Sequence, residues 1–267
     1  MGEIARALVG EWNAGCQHST TDICQILQGS LSELSADPDS VRKRLGTLVD
    51  VTRRRIEGEP LGDRWLVNPV PYLSGSITLL KPLYCTFPLG YLHGDLHPGN
   101  IIVSVLPLPT RGDEPPFAII DFALQRQGNV LFDLAYLEIA MLWHLFEGFK
   151  SHVNRSSWWN LEQHLVSELV PLHPFDGVGR ANDAKTLLLP LRQQIQAQAR
   201  SVNRPDDYWI AYLTASVEAG LTLACNPERI AKDPHTQPYL VTTSLFPPSG
   251  LVELSVSSYP TILVPPA

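Results

Sequence analysis

Cysteine is scarce in this chain, and no two of Cys16, Cys24, Cys85 and Cys225 fall in a C-x-x-C pair. That spacing argues against a zinc ribbon and gives no disulfide framework, so reduced thiols in a cytoplasmic protein are expected. Basic residues are also few: 20 Lys and Arg stand beside 27 Asp and Glu, a net charge of −7. A general nucleic-acid binder would carry a basic field, so that class is set aside. Long apolar runs are missing as well. The longest, 130–149, is interrupted by Asp133, Glu138, His144 and Glu147. Its unbroken parts fall short of the roughly 20 residues that span a bilayer, so no membrane partner is expected. Residues 1–13 carry Glu3 and Arg6 without an apolar stretch, unlike a signal peptide. What is present is the composition of a folded protein, 44% hydrophobic and 18% charged over 267 residues. That length suits one or two domains.

Apolar spacing predicts helices over 3–12, 20–35 and 41–57, the last capped by Ser40. Residues 58–90 are rich in Gly and Pro and read as mostly irregular. Two short buried strands are expected at Ile101-Ile102-Val103 and Phe117-Ala118-Ile119-Ile120, forming a hairpin with an insertion over 107–116. Residues 132–148 predict a helix apolar nearly all round, which belongs inside a core. Further helices are expected over 157–170, 183–201 and 206–225, the last with Trp209, Leu213, Val217 and Leu221 in register. From 231 to 267 the chain is rich in Pro, Ser and Thr and reads as a tail of low order.

The chemistry is concentrated in Tyr91-Leu92-His93-Gly94-Asp95-Leu96-His97-Pro98-Gly99-Asn100. Two His, one Asp and one Asn sit between apolar flanks, and Gly94, Pro98 and Gly99 force a tight loop. The second strand ends at Asp121, and the hairpin would bring it near Asn100. Phosphoryl transfer needs a carboxylate to take the proton of the attacking hydroxyl, and oxygen ligands for a hard metal ion. Asp95 fits the first role as catalytic base; Asn100 and Asp121 fit the second as Mg²⁺ ligands. The step from Asp95 to Asn100 matches the D-x-x-x-x-N of a kinase catalytic loop.

His93 to Asn100 resembles the H-G-D-x-H-x-x-N signature of the aminoglycoside and choline phosphotransferases, relatives of the protein kinases. Asp121-Phe122-Ala123 is similar to their metal loop, and Phe132-Asp133-Leu134-Ala135 to the D-x-A that follows. The tract 132–138 is also similar to the ternary-complex-associated kinase-like domains of bacterial conflict systems. The resemblance is sharp over 91–140. It implies an ATP-dependent phosphotransferase that uses Mg²⁺ and acts on a hydroxyl of a small molecule or protein. It also implies that Asp133 opens a buried helix and braces the catalytic loop through backbone hydrogen bonds. His93 and His97 would then hold the loop.

The implied fold is α+β and mainly helical, a protein-kinase-like large lobe over 1–230 with a short β-hairpin carrying the metal site. No Gly-rich hairpin or lysine-bearing strand is read before residue 93; Lys43 falls on an expected helix and Lys81 in a loop. The nucleotide-covering N-lobe is therefore expected to be missing, reduced, or supplied by a partner chain. Two other readings stay open. His93, Asp95 and His97 form H-x-D-x-H, a possible transition-metal set, although Gly94 and Pro98 break the alternation a strand would need. The chain could also be a non-catalytic kinase-like module that binds a partner. Taken singly, Asp95 reads as an Asx-turn residue, Asn100 as a loop cap and Asp121 as a solvated strand end.

Overall fold

The computed structural model describes residues 2–23, 25–26, 29, 55–61, 64–67, 84–104, 117–147, 187–191, 193–195, 197–198 and 205–225. The expected helix 157–170, the insertion 107–116, most of the expected helix 41–57 and the tail 231–267 lie outside these residues. A short helix α1 (Gly2–Arg6) runs into a π-helical turn (Ala7–Trp12) that buries Leu8. Three strands follow: β1 (Gln17–Asp22), β2 (Arg55–Leu61) and β3 (Arg64–Val67). Next come β4 (Tyr84–Leu92), β5 (Ile101–Val103), β6 (Phe117–Ile119) and β7 (Arg126–Asn129). Two long helices follow, α2 (Leu131–Glu147) and α3 (Pro205–Cys225), and residues 187–191, 193–195 and 197–198 are helical as expected within 183–201.

The first sheet has the order β1-β4-β7, antiparallel throughout, and β2 pairs with β3 in a separate ribbon. Three sequence expectations change here, the first at the end of the expected helix 41–57, where residues 55–57 belong to strand β2. Residues 17–22 are strand where a helix was expected from 20 onward, and helical residues begin only at 23. Polar Gln17–Asp22 has no apolar alternation; it becomes a strand by pairing with β4, from Gln17↔Leu89 to Asp22↔Tyr84. The stretch read as irregular contains β4, the central strand. Pro88 and Gly90 mask it in the sequence. Pro88 lies just beyond the residues paired with β7, and its carbonyl accepts the Val130 N–H at 3.0 Å, so its missing donor costs that ladder nothing. At Gly90 a Cβ would strike the Asn13 side chain and come within 2.7 Å of Val130, so close approach explains the glycine.

The core gathers around α2, which packs on α3 and touches β4. Every described side chain from Leu131 to Met141 is buried, as an all-round apolar helix requires. In α3 the residues at 0% exposure are Ala211, Ala215, Ala219 and Leu223, an i, i+4 row in which three of the four side chains are alanine. The expected face included Val217, which is only half-buried. Hydropathy ranks large residues first, whereas packing two helices at close range favours small ones. Polar ties hold α3 to α2 and to β7. Tyr212 donates its hydroxyl to buried Glu138 at 2.5 Å, and Asn129 donates to the Ala211 carbonyl at 2.8 Å. No helix among the described residues is long and apolar enough to cross a membrane.

Candidate functional site

The loop 93–100 leaves the end of β4 and enters β5 through a 3-10 turn (Pro98–Asn100). Gly94 stands at φ +85°, and a Cβ there would collide with the Leu124 carbonyl. Only glycine fits such a position without strain. Leu96, fully buried, pins the middle of the loop to the core.

Asp133, near the start of α2 and 2% exposed, holds the loop by its backbone. Oδ2 accepts the His93 N–H at 2.7 Å and Oδ1 accepts the Gly94 N–H at 3.0 Å. Burial raises the Asp133 carboxyl above its ordinary value, against the lowering pull of these two hydrogen bonds and of His93 and Arg126. The fold therefore favours the neutral form. Its contribution to stability is complete below the ordinary Asp value and is lost as pH rises through the raised folded value. Asp133→Asn cannot titrate. The gap in Tm between wild type and this variant should thus be wider at mildly acid pH than at neutrality. A gap that widened toward neutral pH would mean that the two N–H bonds outweigh desolvation.

His93 is fully buried, and both its ring nitrogens are engaged. Nδ1 accepts the Asp95 N–H at 3.3 Å, which leaves the hydrogen on Nε2, 2.7 Å from the Ile120 carbonyl. This disposes of the H-x-D-x-H metal reading, since His93 has no lone pair to offer. Among the described residues, no three His, Cys, Asp or Glu side chains gather as a metal group.

Asp95 is partly open to solvent, its side chain 32% exposed. Oδ1 accepts the Tyr136 hydroxyl at 2.6 Å, and Oδ2 lies 3.9 Å from His97 Nε2. His97 Nδ1 accepts the Gly99 N–H at 3.1 Å, turning Nε2 toward Asp95. Asn100, buried, donates Nδ2 to the Asp95 carbonyl at 3.0 Å. Its amide oxygen is left as a donor atom for a cation. Tyr136 went unassigned at the sequence level. Its signal was its place three residues after Asp133, one helical turn along the same face.

β5 and β6 pair as Ile101↔Ile119, Ile102↔Ala118 and Val103↔Phe117. Ile120 extends the ladder by donating to the Asn100 carbonyl at 3.0 Å. Asn100 and Asp121 thus emerge at one end of the hairpin. Asp121 is exposed and left-handed at φ +63°. An amide and a carboxylate oxygen suit magnesium, which takes one or two protein oxygens and keeps its remaining waters. On that donor chemistry Asn100 and Asp121 fit the ion.

The structure thus links His93, Asp95, His97, Asn100 and Asp133 in one network and brings Asp121 to it through Ile120. A family model described as Ternary complex associated domain 9 matches residues 19–219, well over half of the chain. Neither the curated proteins nor the solved structures contain a match.

Proposed function

Since the chain belongs to the ternary complex associated domain 9 family, we propose that its 91–140 segment is a kinase-type phosphoryl-transfer site in a protein that works with partner chains. The family description carries the association with partners. The likeness of 93–133 to the aminoglycoside and choline phosphotransferases carries the chemistry. The observation that most favours transfer is the two-oxygen grip of Asp133 on His93 and Gly94, because it fixes the backbone that presents Asp95.

In this reading Asp95 orients the acceptor hydroxyl and takes its proton on Oδ2, while Oδ1 stays with Tyr136. The acceptor is a hydroxyl of a small molecule or a protein. Asn100 and Asp121 would hold Mg²⁺. Bound Mg–ATP would supply the phosphoryl group and the charge neutralisation it needs. His93 and His97 keep the loop in shape by their ring nitrogens. The nucleotide-covering elements come from residues before 93 or from a partner chain.

Calorimetry with ATP, with and without Mg²⁺, tests the site. Wild type should bind ATP in a Mg²⁺-dependent manner, and Asp121→Ala should weaken that binding by about tenfold or more, the loss of a charged contact of roughly 1.5–3 kcal/mol. Absent or Mg²⁺-independent binding would leave the second reading, a kinase-like partner-binding module without transfer. The family description favours that reading over an isolated enzyme.

A further inference from the structure

The strained residue of the candidate site is Asp121, a non-glycine residue at φ +63°. Such a conformation persists only where its neighbours are held on both sides. On one side Ile120 is fixed by two hydrogen bonds, its N–H to Asn100 and its carbonyl to His93. On the other side Phe122 is fixed by a turn bond, the Gln125 N–H to its carbonyl at 3.1 Å, and by two ring contacts. Its ring lies 4.9 Å from that of His93 and 5.4 Å from that of Trp12, the latter edge-to-face. His93 belongs to the loop already described. Trp12 comes from the other end of the described chain, before residue 19, where the family match begins.

Trp12 is firmly mounted. It ends a π-helical turn, a departure from the regular helix that is frequent at functional sites. Ile4, Ala5 and Leu8 anchor that segment in the core. The next residue, Asn13, ties it to the catalytic loop's entry. Asn13 Nδ2 donates to the Leu8 carbonyl at 3.0 Å and to the Tyr91 carbonyl at 3.3 Å, and its Oδ1 accepts the Tyr91 N–H at 3.0 Å. One segment therefore grips the chain just before His93 and again just after Asp121.

We infer that residues 2–13 are a strut across the two loops of the site, and that Trp12 is a positioning residue that keeps Asp121 in its left-handed conformation through Phe122. This rests on the reading of Asp121 as a Mg²⁺ ligand, but the positioning itself can be measured without nucleotide. An edge-to-face pair contributes enough to shift a local opening equilibrium by up to about tenfold.

Hydrogen exchange of the full-length protein, read at the Ile120 and Gln125 amides, is the test. Trp12→Ala should speed exchange at both by about two- to tenfold and leave the amides of Leu134–Ala140 unchanged. Trp12→Phe, which restores a ring edge, should return both rates most of the way. Mg²⁺-dependent ATP affinity should fall with Trp12→Ala and recover with Trp12→Phe. Unchanged exchange at Ile120 and Gln125 would overturn the inference. Should Trp12→Ala not fold, Trp12→Leu keeps part of the apolar volume without a ring and is judged by the same rates. If the exchange effect appears but wild type shows no Mg²⁺-dependent ATP binding, the strut stands and the phosphoryl-transfer reading fails.

Discussion

Asp95→Asn should lower phosphoryl transfer by about 10²–10⁴-fold, the usual contribution of a general base, while Mg²⁺-dependent ATP binding stays within about twofold of wild type. The substitution is close to isosteric. An amide can still take the Tyr136 hydroxyl on its oxygen, so the loop geometry survives. Its other atom is then an NH₂ group, a donor where the acceptor hydroxyl needs a base. Because Asn100 is bound to the Asp95 backbone carbonyl and not to its side chain, the candidate metal residue is left in place. The measurement is ADP release over a panel of hydroxyl acceptors, together with calorimetry on the same preparations. Transfer at the wild-type rate by Asp95→Asn would sink the base assignment. A parallel loss of ATP binding would move Asp95 from the proton-transfer role to the metal site.

Gly94→Ala should produce the largest loss of stability, about 2–5 kcal/mol. Roughly 1–2 kcal/mol comes from the left-handed backbone and about 1–3 from forcing a Cβ into packed atoms. The atom it meets is the Leu124 backbone carbonyl, which cannot swing aside as a flexible side chain would. Total stabilities of about 5–15 kcal/mol mean that such a change threatens folding itself. Urea denaturation of both proteins gives the value directly. A midpoint equal to wild type would show that the 93–95 loop does not follow this path past Leu124.

The parts of the molecule legible in the sequence are those whose partners are near in the chain. His93 to Asn100 is one loop, so its residue types and spacing already announce a site. The hairpin is local too: 101–103 and 117–119 pair as the sequence predicts, but the strands are not buried as expected, since Ile102 and Val103 face solvent. The expected helices 132–148 and 206–225 are Leu131–Glu147 and Pro205–Cys225 in the structure. What the sequence hides is non-local. β1 and β7 are polar and short, with no alternation to read, and they are strands because β4 lies between them. Asn13 meets Tyr91 across 78 positions, and no periodic pattern reports a contact of that kind. Tyr136 falls in the helix expected inside the core, and it is core, at 2% exposure; only its hydroxyl reaches Asp95. A buried tyrosine needs a partner for its hydroxyl, and sequence alone does not say that the partner is the candidate base.

Asp133 and Tyr136 reach the loop from the same helix, a single turn apart, one holding its backbone and the other its carboxylate. An α-helix advances about 1.5 Å and turns about 100° per residue. A slip of α2 by one residue would therefore swing both side chains off the loop together. The same slip would pull Glu138 from Tyr212 on α3. The axial register of α2 therefore sets the loop: the helix that Glu138 fastens to Tyr212 carries both side chains that hold the loop in place.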